Sequence, residues 1–204
     1  MNSLERAVVV RDGGIPDRVP IAMHNFLFAA RYAGMRLQDC LQSGEMMAES
    51  HLKVWRAFKH DVILVENGTT AMAGAFGCGI GFSEDTAPRV IDPVLKSLDD
   101  VDKLQIPDPC KARSLVAVQR AVSILRGELG NEVFIMGRAD QAPMALAACP
   151  RGHETFLLDL GLTEDPKAIE RLLDICLDAT TRYAFALQEA GAHGTCIEIG
   201  RAHV

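Results

Sequence analysis

The sequence has 204 residues, 49% of them hydrophobic and 24% charged, with a formal net charge of −6. That is enough apolar chain for one domain with its own core, and the wrong composition for a disordered segment. The acidic balance argues against a nucleic-acid partner, and no apolar run approaches the roughly 18–20 residues of a membrane span.

The N-terminus, MNSLERAVVVRDGG, carries acidic residues and no signal-peptide pattern, so a cytoplasmic location is expected. Residues 3–11 are predicted helical, closed by Asp12, Gly13 and Gly14. Residues 19–23 follow a Pro-Asp-Arg turn and read as a first strand that ends in His24 and Asn25. Residues 44–59 read as a helix with Met47, His51, Val54, Trp55 and Phe58 on one stripe. Residues 61–65 (DVILV) form a second buried strand ending in Glu66, Asn67 and Gly68, and residues 69–76 a small-residue helix stopped by Gly77. Residues 79–95 break this pattern as two extended segments around a turn, a β-hairpin excursion. The glycines at 77, 79 and 81 follow a helix rather than a strand, which argues against a dinucleotide loop.

Ser97 to Asp100 resembles a capping box with Asp in place of the usual Glu. A helix is predicted over 113–129, apolar at 115, 118, 122, 125 and 129 and ended by Gly130. Residues 133–136 are a third buried strand, predicted to end abruptly in Gly137, Arg138, Ala139, Asp140 and Gln141 before Pro143 opens another helix. A long helix starts at Asp165-Pro166, with Ile169, Leu172, Leu173, Cys176, Tyr183 and Leu187 inward, and Gly191 ends it. Residues 193–197 are a fourth strand.

Four strands separated by helical material indicate right-handed βαβ units and a parallel sheet, an α/β fold. A (β/α)₈ barrel typically needs about 250 residues, so four strands make the first half of one, with an N-terminal helix and the hairpin added. On that reading three strand ends converge on one mouth: His24 and Asn25, then Glu66 and Asn67, then Arg138, Asp140 and Gln141. Ligands are held at this face of a barrel. The alternative is that these groups cap helices and tie loops, and that Glu66 and Arg138 neutralise each other, an ion pair that is no proof of function.

Other candidates are weaker. The six cysteines (Cys40, Cys78, Cys110, Cys149, Cys176, Cys196) show no CxxC spacing and read mostly as small buried hydrophobes. Cys149 with His153, and His193 with Cys196, have poor metal-ligand spacing. Residues 199–204 are the translation of ATC GGA AGA GCA CAC GTC, the start of a common short-read sequencing adapter. A GAG codon would place part of Glu198 in it as well. Residues 1–197 are therefore read as the domain and 198–204 as an artefact, with the natural protein expected to continue.

The chain resembles the uroporphyrinogen decarboxylase superfamily. The resemblance is carried by Pro16-Asp17-Arg18-Val19-Pro20, by the DVILVEN stretch ending at Asn67, and by Ala75-Phe76-Gly77-Cys78. It continues through Pro88, Pro93-Val94-Leu95 and Leu98 to Leu104, then the Gly137 to Pro143 turn and Ala190-Gly191-Ala192. These motifs cover residues 3–197 in order and imply the (β/α)₈ barrel reached above. The decarboxylases carry an Arg-Gln-Ala-Gly-Arg signature after the first strand, for a porphyrinogen with eight carboxylates. Here Met23-His24-Asn25-Phe26-Leu27 stands in its place. The aspartate those enzymes place after the second strand has only Glu66 or Asn67 as counterpart, and the tyrosine expected after the third strand is Cys149.

The closer likeness is therefore to the methylcobamide:thiol, coenzyme M-type methyltransferases. The resemblance implies a methyl-corrinoid donor and a zinc-activated thiol, with zinc ligands (a His-x-Cys and a later Cys) beyond the end of this chain and none within it. It makes Glu66 and Asn67 catalytic, and His24, Asn25, Arg138, Asp140 and Gln141 substrate-binding. A corrinoid protein or a small tetrapyrrole is the expected partner, with no nucleic acid and no membrane. The alternative is uroporphyrinogen decarboxylase itself, a cofactor-free lyase of porphyrin and heme biosynthesis; a non-catalytic corrinoid-binding protein is a third. The chain alone is expected to be inactive and prone to aggregate through open edges.

Overall fold

In the computed structural model, residues 1–84, 86–141, 143–162 and 166–198 are described, without the side chains of Asp140, Gln141 and Glu198. Residues 199–204 of the tail assigned to adapter thus lie outside the description, as does Asp165.

Helix α1 (Ser3–Arg11) starts on a reciprocal capping box: Asn2 accepts from Glu5 N at 2.8 Å, and Glu5 accepts from Asn2 N at 2.9 Å. Strand β1 (Ala22–Met23) is shorter than the predicted 19–23. Ile21 leaves the regular ladder because its N–H donates to the Asp61 carboxylate and its carbonyl accepts from both Asp61 N and Val62 N. Two short helices, α2 (Phe26–Tyr32) and α3 (Leu37–Gln42), occupy a stretch for which the sequence pattern predicts nothing. Neither has a side-chain cap, so no sequence signal marks their starts.

Helix α4 (Gly44–Phe58) is capped by Ser43, which accepts from Met46 N at 3.3 Å, and ends on Lys59 in the left-handed region. Met47, His51, Val54 and Trp55 are buried as predicted, whereas Phe58 is exposed. It instead meets Phe28 edge-on and Tyr32 at a tilt, at the outer surface of α2. Strand β2 (Val62–Val65) and helix α5 (Thr70–Ala75) follow, then the predicted hairpin, β3 (Gly79–Gly81) antiparallel to β4 (Arg89–Asp92). Leu98–Lys103 is a 3-10 helix; Ser97 accepts from Asp99 N at 3.2 Å, a tighter cap than the predicted box.

Helix α6 (Arg113–Leu129) matches its predicted span, and it crosses α4 closely. A Cβ on Gly44 would lie 2.5 Å from Arg120 Cβ and 2.7 Å from Ala117 O, so only glycine admits that approach. Strand β5 (Phe134–Gln141) runs on through residues 137–141, which the sequence reading puts in a turn. The cause is its partner: β6 (Gly194–Glu198) pairs with it as far as Gln141. Between them lie α7 (Pro143–Arg151), the unpredicted α8 (His153–Leu162), and α9 (Lys167–Glu189).

The main sheet has the order β1-β2-β5-β6, every pair parallel. Successive strands are neighbours and their connections run through helices, as in the first half of a (β/α)₈ barrel. Ile63, Val65, Val133, Ile135 and Ala139 face the helices and join one core with Leu115, Val118, Val122, Leu125, Leu172 and Leu187. The alternate residues, with half-buried Leu64 and Met136, face the other side, where a barrel interior would lie. Among the described residues no helix is long and apolar enough to cross a membrane.

Candidate functional site

The register Val65↔Gly137 sets the next residues side by side, Glu66 just past the C-terminal end of β2 and Arg138 within β5. Both continue the alternation of Leu64 and Met136, so both belong to the interior face. Arg138 Nη1 donates to Glu66 Oε2 at 2.5 Å, and the two side chains are 5% and 2% exposed. From the end of β1, His24 closes on the other oxygen, its Nε2 against Glu66 Oε1, with Arg138 Nη1 3.4 Å from the same nitrogen. The His24 ring stacks on Phe26 at 6.0 Å and, unlike its two partners, is 54% exposed.

Three of the predicted strand-end residues thus form one cluster, and Arg138 and Glu66 do neutralise each other. Asn67 turns the other way. Its Nδ2 donates to Ser114 O at 2.7 Å and Leu41 O at 3.4 Å, tying the end of α3 to the first turn of α6. Gly68, at φ 86, makes the following turn. Asn25 occupies the N-cap position of α2 without a side-chain cap bond, and its buried Nδ2 has no partner. The backbones of Asp140 and Gln141 lie in β5, not in a turn, and their side chains fall outside the described residues. Tyr183 of α9, predicted only as core, lines a cavity of about 10 Å³ with Glu66, Asn67 and Arg138. Two clefts of about 430 Å³ flank the hairpin residue Phe82: one reaches Asn67 and Arg113, the other Arg31 and Arg36.

At the opposite end of β2 lies an ion cluster that the strand-end reasoning passes over. Asp61, fully buried, accepts from Arg6 at 2.6 Å, from Arg18 at 2.6 and 2.8 Å, from Ser3 at 2.8 Å and from Ile21 N at 2.8 Å. Asp17 holds the other edge of Arg6. Burial alone would raise the Asp61 carboxyl; the bonds from Arg18, Ile21 N, Ser3 and Arg6 instead hold it down at about 2. The Pro-Asp-Arg turn and an aspartate opening the second strand were the available signals.

The remaining polar candidates are structural. His193 Nδ1 accepts from Ile135 N at 3.0 Å, its Nε2 meets Arg126, and burial pushes its pKa down to about 4. Cys149 is buried in α7 while His153 opens α8, exposed. Among the described residues no group of three His, Cys, Asp or Glu side chains converges to hold a metal.

The profile of the uroporphyrinogen decarboxylase family matches residues 2–200. The chain belongs to this family. It is similar to the curated uroporphyrinogen decarboxylase of Klebsiella pneumoniae, 30% identical over 167 residues, covering 76% of this chain and 44% of that protein. The decarboxylase of Alkalilimnicola ehrlichii is 30% identical over 164 residues, covering 75% of this chain and 42% of that one. The family chain described here therefore spans less than half the length of these relatives. A solved methyltransferase from Methanosarcina mazei has the same fold, with a TM-score of 0.86 at 21% identity, over 97% of this chain and 58% of that one. The resemblance read from the Pro-Asp-Arg turn and the strand ends is thereby borne out at family level.

Proposed function

We propose that the protein carrying this chain transfers a methyl group from a methyl-corrinoid to a thiol, with His24, Asn25, Glu66 and Arg138 as one wall of the corrinoid site. The carrying observation is the state of Arg138. Its charge is answered by buried Glu66 at 2.5 Å, and residues 23–27 supply no arginine pair beside it. A porphyrinogen with eight carboxylates needs surplus cations at this mouth; a corrinoid rimmed by carboxamides needs neutral donors and acceptors. His24 and the unpartnered Nδ2 of Asn25 are groups of that kind. Asn67, occupied with two backbone carbonyls, positions the strand end rather than meeting the ligand.

Zinc, where bound, would supply Lewis-acid activation of the thiol. The described residues of this chain do not fit such a site, so its ligands are proposed to lie outside it. The corrinoid arrives free or on a corrinoid protein.

The test is to incubate the complete protein with methylcobalamin and 2-mercaptoethanesulfonate. Loss of the methyl–cobalt absorbance with thioether formation is expected; no thioether, with uroporphyrinogen losing carbon dioxide instead, rejects the reading. That second activity is favoured by the 30% identity to curated decarboxylases, and its loss on Glu66→Ala would locate it at the same cluster.

A further inference from the structure

We infer that the cleft between α5, the hairpin and the start of α6 binds a small amphipathic anion. Its carboxylate or phosphate head sits at the N-terminus of α6 and its apolar body against Ile80 and Phe82. This goes beyond the methyl-transfer reading and does not depend on it. The cleft encloses about 430 Å³, a volume within the range of small-molecule sites.

The polar end begins with α6 itself. This helix of 17 residues opens on Ala112, which has no side-chain cap to offer, and its first turn holds no acidic residue. The N–H groups of Leu115 and Val116 both return to Ala112 O, whereas those of Arg113 and Ser114 have no acceptor among the described residues. Two backbone donors and the positive end of the helix dipole are left unanswered. Arg113 adds an exposed guanidinium, which makes no ion pair or hydrogen bond among the described residues. Arg120, further along the same helix, meets Glu45 at 3.0 Å. Among the described residues that line the cleft, Arg113 is the one that carries a charge.

These features alone describe an uncapped helix. Thr70 makes them a site. It is only 6% exposed, and its hydroxyl makes no hydrogen bond among the described residues, although buried hydroxyls are normally paired. Thr180 is also unpartnered, but its oxygen is sealed; the Thr70 oxygen is not, and the surface it keeps opens onto this cleft. The frame around these donors is fixed in advance. Ser114 Oγ donates to Ala71 O at 3.0 Å, and Asn67 Nδ2 donates to Ser114 O at 2.7 Å, which pins the first turn of α6 against α5.

The other end of the cleft is apolar, with Leu41, Ala75, Ile80 and Pro88 beside Phe82, a hairpin side chain 39% exposed. Gly74 keeps this end open, since a Cβ there would lie 3.2 Å from Ile80 Cγ1. A bare inorganic anion would leave this wall in water, so the ligand that fits carries an apolar body behind its charge.

The experiment titrates the complete protein by calorimetry with octanoate, octyl phosphate, octylammonium and inorganic phosphate. Saturable one-to-one binding of an octyl anion is expected with Kd below about 1 mM, the tighter of the two naming the head group. Inorganic phosphate should bind about tenfold more weakly or worse, and octylammonium not at all. Arg113→Gln, at an exposed position, should keep the melting temperature and weaken the octyl anion by about tenfold or more. Thr70→Val should weaken it by about three- to tenfold. The backbone amide resonances of Arg113 and Ser114 should shift on titration. Failure of both octyl anions to bind overturns the site, as does equal binding of octylammonium. Affinity unchanged in both variants, with those two amides unmoved, overturns it as well.

Discussion

Strand β2 has a buried carboxylate just beyond each end, Asp61 below and Glu66 above, and arginines meet both. Asp61 is saturated: two guanidinium groups, a hydroxyl and a backbone N–H converge on it, all from the first 21 residues. Glu66 meets Arg138 on one oxygen and His24 on the other, and the histidine is half open to solvent. The lower cluster reaches solvent too, through half-exposed Asp17 and Arg18. It ties the N-terminal helix and the Pro-Asp-Arg turn to the sheet. The upper cluster is equally buried at its centre and reaches solvent through His24, at the face where barrels hold their ligands. Neither buried charge nor a half-exposed member separates the two; their place on the sheet does, Asp61 before the first residue of β2 and Glu66 after its last.

The contrast breaks most easily at Asp61. Asp61→Ala leaves Arg6 without its buried partner and should cost about 3–5 kcal/mol of stability, read from urea denaturation. A loss under 1 kcal/mol would mean that the lower cluster is not structural. Acidification probes the same end. His51, buried in α4, is pushed down to about 4 by burial and by His60, so it is neutral in the fold at pH 7. Its folded value lies below its unfolded one, near 6.5, so the unfolded chain binds the extra proton between the two. Stability is therefore complete above about pH 6.5 and falls as pH drops toward 4, by about 2 kcal/mol between pH 7 and 5. His51→Leu should flatten this slope. Asp61 acts in the same direction lower down, its contribution being lost from about pH 4 toward its folded value of about 2.

At the upper end, replacing the pair together, Glu66→Leu with Arg138→Met, should leave stability within about 2 kcal/mol of wild type, since matched apolar groups often substitute for a buried ion pair. The proposed methyl transfer should vanish. Survival of activity in that double variant would make the upper cluster as structural as the lower. The smallest effect on stability is expected for His24→Gln, within about 0.5 kcal/mol, because the side chain is half exposed. A large loss there would return His24 to the scaffold.

Much of this was legible in the chain. The 3.6-residue pattern at 115, 118, 122 and 125 marks α6 to the residue, because a long amphipathic helix against a sheet leaves its period in the sequence. The apolar β-branched run at 62–65 marks a buried strand for the same kind of reason. Helices α2, α3 and α8 left no comparable mark: the first two are short and uncapped, and the last carries its leucines outward at Leu157, Leu158 and Leu162. At the site, the grouping of His24, Glu66 and Arg138 was readable from three strand ends. The fate of Asn67 was not, since nothing local says that its amide reaches Ser114 and Leu41.

The sequence by itself determined the alternation of strands and helices, the family, and which residues stand at the strand ends, because period, turn residues and motif order are local properties. Tertiary structure decided which groups each buried carboxylate meets and which face of the sheet it stands at. That depends on register and on contacts between residues 24, 66 and 138, and between 6, 18 and 61, which only the folded sheet brings together.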